Sequence, residues 1–486
     1  MLAWVADWRA TYNSAANVTA NRLTFLLHDG QKESSMTENE RSGRLGTDRR
    51  RFLGFAAAGV VASQVGMFGQ AQAATADQAA STGAGTAAGW APQPGSGIRP
   101  FRIKVQQKEL NELRRRIRET RWPDRETVRD RSQGAQLTKM RPLVDYWGTK
   151  YNWRSLETRL NALPQYITEI DGLDIQFAHI RSPHADAMPM LMTHGWPGSI
   201  VELLKIIDPL TNPTAHGGRA SDAFHLVLPT LPGYGFSGNP TKGGWNPART
   251  ARAFHELMLR LGYPEYVSQG GDWGAIISEV LAVQQPKGLL GIHVNMPGTV
   301  PDDILRHLRN FDPAPANLSA DETRAYDRLL HFYRDGFGYA AMMNQSPQTI
   351  GYALADSPVA MAAYYYDKIA EWTDSDGEPE KLFTYDEMLD AISLYWLTNT
   401  GASSSRLYWE GAQAGGGPFN AVPIPKLPVA VTVFPGEIYP APRSWGERTF
   451  GNIIHWNEVD KGGHFAAWEQ PKILTDELRT AFRVLR

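Results

Sequence analysis

The clearest pattern along the chain is an alternation of apolar and polar residues over Tyr166-Ile167-Thr168-Glu169-Ile170, then Asp171-Gly172, then a second alternation over Leu173-Asp174-Ile175-Gln176-Phe177. A period of two on both sides of Asp-Gly predicts two antiparallel strands joined by a tight turn, because that turn needs positive φ at its central positions. Short apolar runs follow at 189–193, 224–228, 266–269 and 289–294 with helical spacing between them, so a mostly parallel sheet is expected. Strand-like runs return at Val431-Thr432-Val433-Phe434 and Ile453-Ile454-His455-Trp456. Between 301 and 417 no strand pattern occurs and helical patterns dominate, which predicts a helical lid over the carboxyl ends of the strands. Ahead of the hairpin, 109–120 reads as a charged amphipathic helix with Leu110, Leu113 and Ile117 three and four apart. Its Arg114, Arg115 and Arg116 are read as a solvated face with no binding role. No internal repeat is evident.

The chain before residue 98 has a different character. Asp48-Arg49-Arg50-Arg51-Phe52-Leu53 has the twin-arginine form, a weakly apolar stretch runs from Gly54 to Met67, and Ala71-Gln72-Ala73 offers a small-residue cleavage site before Ala74. Residues 36–73 are therefore expected to be a twin-arginine signal peptide that delivers a folded protein to the periplasm or the outside. Residues 1–35 are read as an over-extended gene start, with a genuine extra segment as the alternative. The stretch 74–97, rich in Ala, Gly, Ser, Thr and Pro and almost uncharged, is expected to be a flexible linker. A membrane anchor needs about 20 strongly apolar residues. The run after the arginines is shorter and weaker, so no stable membrane insertion is expected after cleavage.

Composition narrows the chemistry. A formal net charge of −2 supplies no basic surface for nucleic acid. With 0 cysteines there is no disulfide, no thiolate metal site and no cysteine nucleophile. Histidines and carboxylates show no short metal-ligand spacing, so neither metal nor cofactor is expected. The 15 tryptophans and 18 tyrosines suit a site lined with aromatic surface for an apolar small molecule. Whether the chain forms a homo-oligomer is left open by the sequence.

The segment Gly270-Gly271-Asp272-Trp273-Gly274 sits between the strand-like Tyr266-Val267-Ser268-Gln269 and a helical pattern from Ala275 to Val283. This is the strand, sharp turn and helix of a nucleophile elbow, with aspartate in the place of serine and glycines expected where the turn needs positive φ and leaves no room for Cβ. A carboxylate, with an ordinary pKa of about 3.9, needs no base to become a nucleophile. It attacks saturated carbon rather than an acyl group, which limits the reaction to opening an epoxide or displacing a halide through an alkyl ester. Alone, the aspartate reads more readily as a helix N-cap; residues elsewhere overturn that. Hydrolysing the ester takes a base, a carboxylate to orient it and donors for an oxyanion. His464, in Gly462-Gly463-His464-Phe465, and Glu437, in Phe434-Pro435-Gly436-Glu437, each follow a strand-like run, and the order Asp272, Glu437, His464 is that of α/β-hydrolases. The loop His194-Gly195-Trp196-Pro197-Gly198-Ser199 after the strand at 189–193 is expected to face the elbow, with the amides of Trp196 and Trp273 as the oxyanion hole.

These motifs resemble those of the microsomal epoxide hydrolase family. The likeness covers the oxyanion loop at 194–199, the turn Gly233-Tyr234-Gly235-Phe236-Ser237, the elbow, the acid loop and the histidine loop. Arg121-Trp122-Pro123-Asp124, Tyr151-Asn152-Trp153-Arg154 and Leu160-Asn161-Ala162-Leu163-Pro164-Gln165-Tyr166 resemble that family's own N-terminal segment, so the match spans about residues 98–486. The resemblance implies an α/β-hydrolase fold with an N-terminal segment at 98–165, core at 166–300, helical lid at 301–417 and core again at 418–486. It also implies two lid tyrosines that hydrogen-bond the epoxide oxygen, carried here by Tyr339 and Tyr408. Ten tyrosines lie from Tyr326 to Tyr408, and the neighbours Tyr364, Tyr365 and Tyr366 are read as packing residues. The implied reaction turns a small apolar epoxide and water into a vicinal diol without cofactor. Two other readings stay open: a haloalkane dehalogenase, against which Trp196 stands where those enzymes usually carry asparagine, and an inactive secreted binding protein on the same scaffold.

Overall fold

The computed structural model describes residues 97–486 apart from Gly416 and Pro418. The expected signal peptide, gene-start segment and all but the last residue of the expected linker lie outside the described residues. Nine strands form one sheet: β1 Arg99–Pro100, β2 Gln165–Ile170, β3 Leu173–Ile180, β4 Met188–Thr193, β5 Phe224–Pro229, β6 Tyr266–Gly270, β7 Leu289–Val294, β8 Val429–Val433 and β9 Ile453–Glu458. Their order is β1-β2-β3-β5-β4-β6-β7-β8-β9. The first three strands and the β3–β5 contact are antiparallel, and every pair from β5 to β9 is parallel.

The β2–β3 hairpin turns at Asp171 and Gly172, with φ of 53° and 75°. Both central residues are left-handed, as a tight hairpin turn of this hand demands. Every residue of β5, β6 and β8 is buried, because helices cover both faces of a parallel sheet. These are α4 Ile200–Thr211, α5 Pro247–Arg260, α6 Trp273–Gln284, α14 Arg443–Thr449, α15 Ala466–Glu469 and α16 Pro471–Phe482. They are numbered after three N-terminal helices, α1 Gln107–Arg118, α2 Leu137–Thr149 and α3 Trp153–Asn161, and around seven lid helices: α7 Asp302–Asn310, α8 Ala320–His331, α9 Gly338–Gln345, α10 Pro347–Asp356, α11 Pro358–Trp372, α12 Tyr385–Thr398 and α13 Gly401–Gln413. Helix α1 buries Leu110, Leu113 and Ile117, the stripe its spacing predicts.

Two features fix the site. The chain leaves β4 for β5 on one side and returns to β6 on the other, so loops diverge at the carboxyl ends of β4 and β6, where an open α/β sheet opens a crevice. The register Thr193↔Gly270 then sets the loop after β4 directly beside the elbow after β6. The N-terminal helices grip the lid rather than the sheet's ligand end: Trp147 Nε1 donates to Ser393 Oγ at 2.8 Å, and the Tyr151 hydroxyl donates to Asp390 at 2.8 Å. The lid is also pinned to the core loops. The Ser403 hydroxyl donates to the Gly233 carbonyl at 2.6 Å, and the Tyr395 hydroxyl donates to the Gly198 carbonyl at 2.6 Å.

Candidate active site

Strand β6 ends at Gly270, and two residues later Asp272 takes φ 51° and ψ −127°. A non-glycine residue in that region is strained, and strain of this kind persists where surrounding structure holds it. The sequence assigned positive φ to the elbow glycines; the structure corrects this, since the left-handed residue is the aspartate itself. The glycines serve close approach instead. A Cβ on Gly274 would stand 1.9 Å from the Thr193 carbonyl oxygen, and one on Gly195 would stand 2.3 Å from Asp272 Oδ1. Asp272 occupies the N-cap position of α6 but makes no side-chain capping bond. Its Oδ1 accepts instead from the Trp196 amide at 2.7 Å, and the Trp273 amide also bonds the carboxylate.

The second oxygen, Oδ2, lies 3.6 Å from His464 Nε2, and His464 Nδ1 is 2.6 Å from Glu437 Oε1. Glu437 and His464 come from loops after β8 and β9, and those loops are joined: the Gly436 amide donates to the Gly462 carbonyl at 2.9 Å. The Ile438 amide also donates to Glu437 Oε1, at 2.8 Å, while Arg328 of α8 donates to the Glu437 carbonyl at 2.8 Å. The His464 amide donates to the Trp372 carbonyl at the end of α11, at 2.9 Å. A second histidine, His194, braces the oxyanion loop by donating from Nδ1 to the Gly195 carbonyl and accepting the Leu231 amide at Nε2. Burial pushes its pKa down to about 4, so it stays neutral and structural.

Tyr339 opens α9 and Tyr408 lies in α13; both are buried. Trp196 stacks on Tyr339 at 5.2 Å between ring centres with the planes 10° apart, and Tyr408 stands edge-on to Trp273 at 4.8 Å. Burial, and after it the charge of Asp272 on Tyr339 and the neighbouring rings and Asp272 on Tyr408, hold both phenols well above their usual pKa, so both keep their protons. The hydroxyls of Tyr339 and Tyr408 lie within reach of each other, and Tyr408 also meets Trp273. The neighbouring tyrosines are engaged elsewhere. Tyr364 donates to the Tyr339 carbonyl, Tyr366 donates to Glu380, and Tyr365 packs on Tyr395 and Trp196. Tyr234 also feels the Asp272 charge with its hydroxyl buried and unpartnered, a contact that its place in the 233–237 turn did not announce.

The electrostatics follow from burial against charge. Desolvation pushes the Asp272 carboxyl above its usual value, and the His464 imidazolium and the two amides oppose that rise. Burial opposes the charged form of His464, but the Glu437 carboxylate, assisted by Asp272, overcomes it and raises the ring to about 9. His464 is therefore protonated in the free enzyme at neutral pH. Sequence reasoning missed Glu202, which lies on α4 in the same cavity, and Trp372 and Arg328, whose parts are played by contacts with backbone carbonyls that no side-chain motif signals.

The fold, and a carboxylate at the elbow where serine is usual, place the chain among α/β-hydrolases with an aspartate nucleophile position. The family model described as epoxide hydrolase N terminus matches residues 98–203, and the one described as alpha/beta hydrolase fold matches 188–413. A protein of Stigmatella aurantiaca (strain DW4/3-1) is 53% identical over 392 residues, covering 80% of this chain and 86% of its own. Epoxide hydrolase 1 of Sus scrofa is 35% identical over 408 residues, covering 79% and 88%. Among solved structures, juvenile hormone epoxide hydrolase from the silkworm Bombyx mori superposes with a TM-score of 0.72 at 28% identity, over 80% of this chain and 95% of that one. The chain belongs to the microsomal-type epoxide hydrolase family.

Proposed function

We propose that this enzyme hydrolyses a small apolar epoxide to a vicinal diol in two steps through an ester on Asp272. Tyr339 and Tyr408 donate to the oxirane oxygen while Asp272 Oδ2 attacks a ring carbon. The carbon–oxygen bond breaks and the oxygen takes up a proton. His464 starts protonated and the ester has lost the aspartate charge, so the imidazolium gives up one proton as the new hydroxyl gains one, and the count closes. Neutral His464, oriented by Glu437, then takes a proton from water as that water attacks the Asp272 carbonyl carbon. The Trp196 and Trp273 amides hold the oxyanion on Oδ1, the ester bond breaks, and the departing diol oxygen takes that proton from His464; the other water proton, left on the Asp272 carboxyl, passes to His464 and restores the imidazolium and the carboxylate. The observation that carries this reading is the different treatment of the two carboxylate oxygens: Oδ1 is held by the Trp196 amide at 2.7 Å, and Oδ2 is left toward His464.

Two buried, protonated tyrosines favour an epoxide over a halide. An alkoxide leaves well only when protonated, whereas halide departs without a proton. We further propose that the twin-arginine segment exports the folded enzyme; the absence of cysteine makes folding before transport chemically straightforward. A panel of terminal, cis-disubstituted and aryl epoxides, followed for diol formation beside a haloalkane followed for halide release, tests the reaction. Diol without halide supports it, and halide release without diol overturns it.

A further inference from the structure

Glu202 stands three residues after Ser199, the spacing of a helix capping box, and its carboxyl does bond the Ser199 amide. That accounts for one of its interactions. No lysine or arginine among the described residues pairs with it, although it feels the charges of His464 and Asp272. It shares with them a cavity of about 30 Å³, whose other polar walls are Thr193, Gln269 and Asn295. Glu202 keeps part of its surface accessible and lines this space. Gly198 makes the room: a Cβ there would stand 2.1 Å from Glu202 Oε2.

One observation separates this space from the face on which the ring opens, and two fit it to water. Neither Tyr339 nor Tyr408 lines it. The Thr193 hydroxyl, on a residue only 1% exposed, has no hydrogen-bond partner within the described protein. A cavity needs roughly 10–15 Å³ per water together with two or more polar partners, and this one meets both conditions for about two waters.

We propose that this cavity holds the hydrolytic water of the ester-hydrolysis step and that Glu202 positions it opposite His464 Nε2. The inference rests on the two-step reading above. The water oxygen forms a bond to Asp272 Cγ, one of its protons goes to His464 Nε2, the bond from Cγ to the alkyl-bearing oxygen breaks, His464 returns that proton to the diol, and the water's second proton then passes from the Asp272 carboxyl to His464, restoring the starting state. Glu202 hydrogen-bonds the water and neither gains nor loses a proton over the cycle. Burial raises its pKa to about 8, so at neutral pH it presents one donor and one acceptor without adding a charge beside Asp272.

The test measures the two half-reactions separately in Glu202→Leu, Glu202→Gln and Thr193→Val, using styrene oxide with stopped-flow fluorescence and intact-mass spectrometry. In Glu202→Leu, ring opening stays within about twofold of wild type, ester hydrolysis falls at least tenfold, and protein plus one substrate accumulates. Glu202→Gln, which keeps a donor and an acceptor, restores most of the hydrolysis rate. Thr193→Val slows hydrolysis alone, which keeps the proposal testable if the leucine variant does not fold. Equal slowing of both half-reactions would reduce Glu202 to a capping residue, and unchanged hydrolysis in Glu202→Leu or, should that not fold, in Thr193→Val would overturn the proposal. If His464→Gln forms no ester at all while opening the ring, the two-step reading itself fails, which is a separate result.

Discussion

The Trp196 amide lies 2.7 Å from Asp272 Oδ1, and Gly195, the residue before it, has no Cβ because that atom would fall 2.3 Å from the same oxygen. The proposed oxyanion donor and nucleophile are thus set by one contact before any substrate arrives. Gly195→Ala must displace either the carboxylate or the amide. Since removing one oxyanion donor costs about 10²–10³ in rate, diol formation by Gly195→Ala is expected to fall by at least about 10²-fold while circular dichroism stays native. Wild-type turnover in this variant would show that the contact has no catalytic weight.

The stack of Trp196 on Tyr339 and the edge-on packing of Tyr408 against Trp273 hold two phenols over one aspartate. Two donors acting on one oxygen are non-additive. Tyr339→Phe and Tyr408→Phe singly are expected to slow alkylation by about tenfold, and the double variant by well over the product of the two. Pre-steady-state ring-opening rates decide it. A double variant that opens epoxides at the wild-type rate would point to Tyr234, whose unpartnered buried hydroxyl also feels Asp272.

His464 binds its proton more tightly folded than unfolded, since its ring is raised from 6.5 to about 9. The stability this contributes is present in full below about pH 6.5 and is lost as pH rises through about 9. The thermal midpoint of wild type relative to His464→Gln should therefore shrink between pH 6.5 and 9.5. Ester formation removes the Asp272 charge, one of the interactions that hold the proton, so ester hydrolysis should follow a midpoint below about 9. Single-turnover decay of the ester across pH measures it, and a midpoint above 9 would place the base elsewhere.

Export makes a separate prediction. Changing Arg49 and Arg50 to Lys is expected to leave active enzyme in the cytoplasm, and the exported wild type is expected to begin at Ala74. N-terminal sequencing of exported material reads this directly; a mature protein beginning at Met1 or Met36 contradicts it.

Legibility in the sequence followed distance along the chain. The hairpin at Asp171-Gly172, the stripe Leu110, Leu113 and Ile117, and the strand-turn-helix around Asp272 are local, and the structure contains each of them. The placement of β5 between β3 and β4, and the two-residue strand Arg99–Pro100 on β2, are long-range pairings that no local period encodes. In the site, Glu437 and His464 stood out by order and by their glycine loops, whereas Tyr339 and Tyr408 needed the family likeness because ten tyrosines crowd that stretch. Glu202 was hidden by an alternative that is itself correct: its spacing from Ser199 is a capping signal, and only the fold brings it to the cavity shared with His464.

The central claim is that Asp272 forms a covalent ester whose carbonyl carbon, not the epoxide carbon, is attacked by water. A single turnover in H₂¹⁸O with enzyme in excess over substrate tests it most directly. The account predicts unlabelled diol and ¹⁸O in the peptide that contains Asp272, with Asp272→Asn giving neither diol nor label at early times. Label in the diol of that first turnover, with none in the Asp272 peptide, would contradict it.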